Sequence, residues 1–137
     1  EVKYFEIFNI MIQVGTVLNV SDNSGARKVY CIRVLNGSRK KYARLGNLIL
    51  VVVKSLRKKR KSLSKVKKGD IFCALIVRTR MKSISKFSDS FSFLENSVVL
   101  LTGQNKFVGT RILGSLPKNF RITSYMRLLS LCGGSVS

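Results

Sequence analysis

The chain has 137 residues, 45% of them hydrophobic, with 26 Lys plus Arg against 6 Asp plus Glu, no His and a net charge of +20. That length suits one domain burying roughly two-thirds of its unfolded surface, and the apolar content excludes a disordered basic tail. Lack of His removes the commonest general base and metal ligand, and Glu1, Glu6, Asp22, Asp70, Asp89 and Glu95 stand singly along the chain, so acid–base or metal-assisted catalysis is poorly supplied.

In chain order, residues 1–10 read as an extension ahead of Met11, with neither a signal-peptide core nor the acid-free composition of a transit peptide. Thr16–Val20 alternates as a short strand and runs into the turn cluster Ser21-Asp22-Asn23-Ser24-Gly25. Lys28–Leu35 is a second strand, with Tyr30, Ile32 and Val34 expected on one face and Lys28 and Arg33 outward. Asn36-Gly37-Ser38 is a turn, and Arg39-Lys40-Lys41-Tyr42-Ala43-Arg44 a basic connector. Leu48–Val53 is a continuous apolar run, expected to be buried on both faces or to line a small barrel.

Between Lys54 and Lys68 stand nine Lys or Arg in fifteen positions, with no carboxylate among them. Lys67-Lys68-Gly69-Asp70 is a turn that launches a strand over Ile71–Arg80. Ser83 to Phe93 reads as a hairpin with an exposed tip, and Ser97–Leu101 and Arg111–Leu113 as two more short strands. After Pro117, Tyr125, Leu128, Leu129 and Cys132 fall at helical spacing before Gly133-Gly134, giving one or two short helices. Short strands without a long helix predict a mainly β fold, a small closed five-stranded antiparallel barrel.

Cys31, Cys73 and Cys132 match neither a CxxC motif nor a disulfide framework and read as core thiols. No apolar run approaches the roughly 18–20 residues of a membrane span, so no membrane partner is expected. Self-repulsion among so many cations opposes compaction, which points to a polyanionic partner.

Three stretches carry a family resemblance: MIQVGTVLNVSDNSGARKVYCIRVL from Met11 to Leu35, KVKKGDIFCALIVRTR from Lys65 to Arg80, and VGTRILG from Val108 to Gly114. Together they resemble universal large ribosomal subunit protein fourteen, the bacterial-type L-fourteen family. The resemblance implies a barrel with a projecting β-ribbon and small C-terminal helices, forming a single domain over residues 11–137. It also implies a large-subunit rRNA-binding protein near the intersubunit face, in contact with ribosomal proteins of the L-three and L-nineteen families and with small-subunit rRNA at an intersubunit bridge. A docking surface for a ribosome-silencing factor is implied as well. This chain departs from the family pattern at Phe87-Ser88, where the hairpin tip usually carries Asp-Gly, and at Asn119, where an acid is usual. It is longer between Val53 and Gly69, and residues 1–10 have no counterpart.

The turn at Asp22-Asn23-Ser24-Gly25 has two readings, a structural hairpin or a platform presenting backbone amides with Arg27 and Lys28 to a phosphate. Arg39, Lys40, Lys41 and Arg44 are candidate phosphate contacts, with Tyr42 either stacking on a base or packing on the barrel. Lys54, Arg57, Lys58, Lys59, Arg60, Lys61, Lys65, Lys67 and Lys68 are expected to neutralise rRNA phosphates collectively, the Arg side chains bidentately and the Lys as mobile point charges. Arg78, Arg80 and Lys82 emerge where the strand leaves the core. The resemblance assigns Thr110 and Arg111 to intersubunit and silencing-factor contacts. Phe91 and Phe93 are expected to pack on a neighbouring protein.

Two rivals follow from the same residues. One is a protein-interaction module that docks a silencing or assembly factor, with RNA secondary. The other is a metal-dependent nuclease using Asp22, Asp70 and Asp89. The Lys-, Ser- and Phe-rich drift from the bacterial pattern points to an organellar, mitochondrial setting, with plastid or bacterial cytoplasm as alternatives.

Overall fold

The computed structural model describes residues 12–35, 41–57, 65–80, 83–84, 90–91, 93–114 and 116. Its strands are β1 (Val17–Val20), β2 (Ala26–Val34), β3 (Leu48–Leu56), β4 (Ile71–Arg78), β5 (Ser83–Ile84), β6 (Ser90–Phe91) and β7 (Ser97–Leu101). Five of them close a barrel in the order β1-β2-β3-β4-β7, and β5 and β6 form a separate two-stranded ribbon. The barrel and ribbon follow the expected mainly β architecture.

One detail of the expectation needs correcting. The barrel is mixed rather than wholly antiparallel, because β1 and β7 pair parallel through Asn19↔Ser97 and Val20↔Val98. The reason is parity. Strand direction cannot alternate all the way around a ring with an odd number of members, so a five-stranded closed barrel needs at least one parallel seam. Here it falls between the first and last strands, while the other four pairs are antiparallel.

The barrel interior is filled by alternate residues of each strand, including Leu18 and Val20 from β1, Val29, Cys31 and Val34 from β2, Ile49, Val51 and Val53 from β3, and Val98 and Leu100 from β7. On β3 the residues between these are only half-buried, so this run lines the barrel instead of being buried on both faces. Both faces are covered along β7 and along Ala74–Val77 of β4. Leu75, Val77, Val99 and Leu101 point outward into a second cluster with Ile112 and Leu116, joined by Leu45, Leu48, Cys73 and Phe107.

In β2 the expected face is wrong. Val29 and Cys31 are in the core, while Tyr30 and Ile32 are only half-buried. A register shift between Cys31 and Arg33 inserts an extra residue, which returns Val34 to the interior out of phase with Tyr30. Arg111–Leu113 does not form a strand either. It contributes one bridge, Asp22↔Ile112, because the ring is already closed and this segment crosses outside it. The helices expected after Pro117 and the ribbon tip at 85–89 lie outside the described residues.

Candidate nucleic-acid interface

The turn at 21–25 organises the site. Asp22 is fully buried, and its Oδ1 accepts from the Ser24 hydroxyl at 2.6 Å and the Ser24 amide at 3.2 Å. Its Oδ2 accepts from the Leu100 amide on β7 at 3.1 Å. Burial pushes this carboxyl above its ordinary range, against the opposing pull of those hydrogen bonds and of the Arg57 charge. Gly25 holds φ at 104°, a left-handed conformation that favours glycine, and completes the reversal into β2.

Two loops hang on this turn. The first is the basic loop: the Arg57 amide donates to the Gly25 carbonyl and the Lys65 amide to the Ser24 carbonyl, each at 2.9 Å. Val66, only 2% exposed, plugs the loop's return into the core, and the Asp70 carboxylate accepts from the Lys67 amide at 2.9 Å. The second is the loop carrying Thr110 and Arg111. Asn23 Oδ1 accepts from the Thr110 amide at 2.8 Å and the Arg111 amide at 3.1 Å, while Asn23 Nδ2 donates to Thr110 Oγ1 at 2.8 Å. Gly109 permits this approach, since a Cβ there would lie 2.8 Å from Asn23 Oδ1 and 2.9 Å from Asp22 Cβ. The hairpin reading of the turn therefore holds, with the added task of joining two loops far apart in sequence.

Among the cations picked out from sequence, Arg27, Lys28, Lys41, Arg44, Lys54, Lys65, Lys67, Lys68 and Arg80 are exposed. Arg57 is half-buried and its guanidinium donates to the Val20 carbonyl at 3.0 Å. Arg78, with a side chain 12% exposed, donates to the Leu113 carbonyl at 2.6 Å and lies 3.8 Å from Glu95. These two arginines tie the chain to itself. Lys65 Nζ reaches the Val108 carbonyl at 3.4 Å, linking the basic loop to the Thr110 loop. Thr110 and Arg111 are both exposed, and Tyr42 is half-buried. Phe93 is half-buried, with its amide donating to the Thr79 carbonyl at 3.0 Å. Phe91 lies on β6, paired with Ser83. Arg39, Lys40, Lys58, Lys59, Arg60, Lys61 and Lys82 lie outside the described residues.

Among the described residues the nuclease constellation finds no geometry. Asp22 is enclosed, the Asp70 carboxylate serves its own turn, and Asp89 is outside the described residues. Among the described residues no three His, Cys, Asp or Glu side chains are grouped to hold a metal. Sequence reading missed the clamp at Asn23, whose only signal was turn composition, and the cation–π pair in which Lys54 Nζ sits 5.2 Å from the Tyr30 ring centroid.

The family model for ribosomal protein L14p/L23e matches residues 11–136. The chain belongs to the ribosomal protein L14p/L23e family. It is therefore a structural protein of the large ribosomal subunit, from a non-enzymatic family, and works in association with the ribosome. For this L14p/L23e member the 21–25 turn and one fastening of each loop come from the three stretches that carried the sequence resemblance: Asp22 to Gly25 from the first, Lys65 and Val66 from the second, and Gly109 to Arg111 from the third, while Arg57 lies outside them.

Proposed function

We propose that this protein binds large-subunit rRNA through its basic loops and lies near the intersubunit face. The observation that carries the reading is the pinning of the basic loop that follows β3, at Arg57 and Lys65, to the carbonyls of one buried-carboxylate turn. Fixing Arg57 and Lys65 to the barrel in advance lowers the ordering cost of presenting the cations beside them to phosphate. The exposed lysines and arginines act on phosphate by charge, and the division of labour among them is RNA shape recognition rather than base reading. Arg39, Lys40, Lys58, Lys59, Arg60, Lys61 and Lys82 belong to the same proposed surface by sequence, and residues 11–137 are read as one domain.

On the same reading, Thr110 and Arg111 face protein and intersubunit partners: a ribosome-silencing factor and small-subunit rRNA at a bridge. Phe91 and Phe93, at the ribbon, face a neighbouring ribosomal protein, with the L-three and L-nineteen families as the partners in view. The Asn23 clamp supports this role because it presents Thr110 and Arg111 in one geometry. The proposed location is the mitochondrial ribosome, and recovery of the chain from plastid or bacterial ribosomes alone would overturn that. Sedimentation tests the central proposal. The chain should remain on purified large subunits through a high-salt wash, and release into the supernatant would favour the factor-docking reading instead.

A further inference from the structure

One part of the barrel wall is neither core nor fully covered by the described residues. Register places Val17, Tyr30, Val52 and Ile71 opposite one another across β1, β2, β3 and β4, so all four share the outer face. Val17 is 55% exposed and Ile71 59% exposed. The turn before β1 adjoins the row, since Tyr30 Oη comes within 3.4 Å of the position a Cβ on Gly15 would take. Two of the five exposed large hydrophobics among the described residues, Val17 and Ile71, thus lie on one strip. Singly scattered apolar residues need no explanation, but a contiguous row does. Over β7 and the later part of β4 the outer wall is closed by the chain itself, through the second apolar cluster.

The rim of the strip is cationic. Lys28 stands two residues from Tyr30 on the same strand, Lys54 lies over the Tyr30 ring, and exposed Lys67 and Lys68 precede Ile71. The nearest carboxylate in sequence, Asp70, is occupied with the Lys67 amide. A second copy of a +20 chain would be repelled by this rim. Duplex RNA satisfies the lysines but hides its base faces in the stack, leaving the strip wet. Unpaired RNA offers both phosphates and bare apolar faces.

We propose that the outer strip of β1–β4 seats an unpaired stretch of rRNA, with Tyr30 as its stacking platform. This rests on the rRNA-binding reading above and assigns it a second contact of different chemistry. Three strand spacings make the strip about 14 Å wide, room for a few nucleotides. The Lys54 ammonium moves from the ring to the phosphate of the arriving nucleotide, and the freed ring face takes the base. Any base serves, since stacking needs only a π-face.

The test compares the full chain binding an oligouridine of about twelve nucleotides with a duplex RNA of the same length at one salt concentration. Tyr30→Leu should weaken oligouridine binding about tenfold, a typical stacking loss, and leave duplex binding unchanged. Tyr30→Phe should restore it. Equal weakening on both ligands, or none, overturns the proposal. Independently, a photoreactive residue at exposed Ile71, in chain assembled into large subunits, should crosslink to unpaired rRNA nucleotides. Crosslinks to protein alone or to helical rRNA also overturn it. A chain that fails to enter the subunit at all would sink the rRNA-binding reading instead, while the oligouridine comparison would still decide the strip.

Discussion

Asn23→Ala should loosen the loop that carries Thr110 and Arg111 without unfolding the barrel. The side chain accepts from two backbone amides and donates to one hydroxyl. At about 1 kcal/mol net per hydrogen bond, the loss would reach about 3 kcal/mol if nothing replaced them. Thr110 and Arg111 are exposed, so water recovers part of this, and we expect about 2 kcal/mol. For a domain of this size that is a fall in Tm of roughly 6–10 °C. The loop stays attached through the Asn23 amide to the Arg111 carbonyl at 3.2 Å and the Leu113 amide to the Ser21 carbonyl at 2.6 Å. Urea titration should therefore show a lower midpoint with an unchanged slope, and hydrogen exchange should speed up at the Thr110 and Arg111 amides. Asn23→Asp keeps both acceptor bonds and lets the Thr110 hydroxyl donate, so it should lose under about 1 kcal/mol. An Asn23→Ala variant with native stability and unchanged exchange at these amides would refute the clamp.

Further expectations concern groups around the same turn and in the core. The Asp22 carboxyl is raised in the folded state above 3.8 by burial, so the native chain binds more protons than the unfolded one in the window just above that value. Its contribution is fully present below about 3.8 and lost as pH rises through the folded value. The stability gap between the natural chain and Asp22→Asn should accordingly narrow as pH increases through mild acidity, measured by urea titration at each pH. Gly109→Ala places a methyl against Asn23 and Asp22 and should cost on the order of 1–3 kcal/mol, read by the same assay. Cys31 is fully buried with its thiol pushed up by that burial. Alkylation at neutral pH should modify it only at the rate of unfolding and ahead of this modify the half-buried Cys73, followed by peptide mass mapping.

The barrel strands were legible because their residues alternate or run continuously apolar between turn signals. Ser97–Leu101 and the start of β4 were found within a residue or two. Tyr30 was misassigned because a bulge near Cys31 breaks the period of two, and nothing in KVYCIRV marks where the extra residue sits. The parallel seam was available from counting alone, since five strands cannot alternate around a ring. Arg57 and Arg78 read as cations like their neighbours. Only the packed chain shows that their guanidiniums reach the carbonyls of Val20 and Leu113, 37 and 35 residues away in sequence. Asn23 was visible only as a turn residue, because its partners come from the far end of the described chain.

Fastening Arg57 and Lys65 to adjacent carbonyls, those of Gly25 and Ser24, separates the history of the basic loop from that of the barrel. Whatever lies between the two fastenings can lengthen or shorten without transmitting strain to β3 or β4. Each doubling of such a segment costs only about 0.6 kcal/mol in closure entropy. By that scaling insertion between the fastenings is cheap, while the fastening points and the turn beneath them are costly to alter. The ring itself closes through the pairing of β3 with β4, so its closure does not depend on what this interval contains.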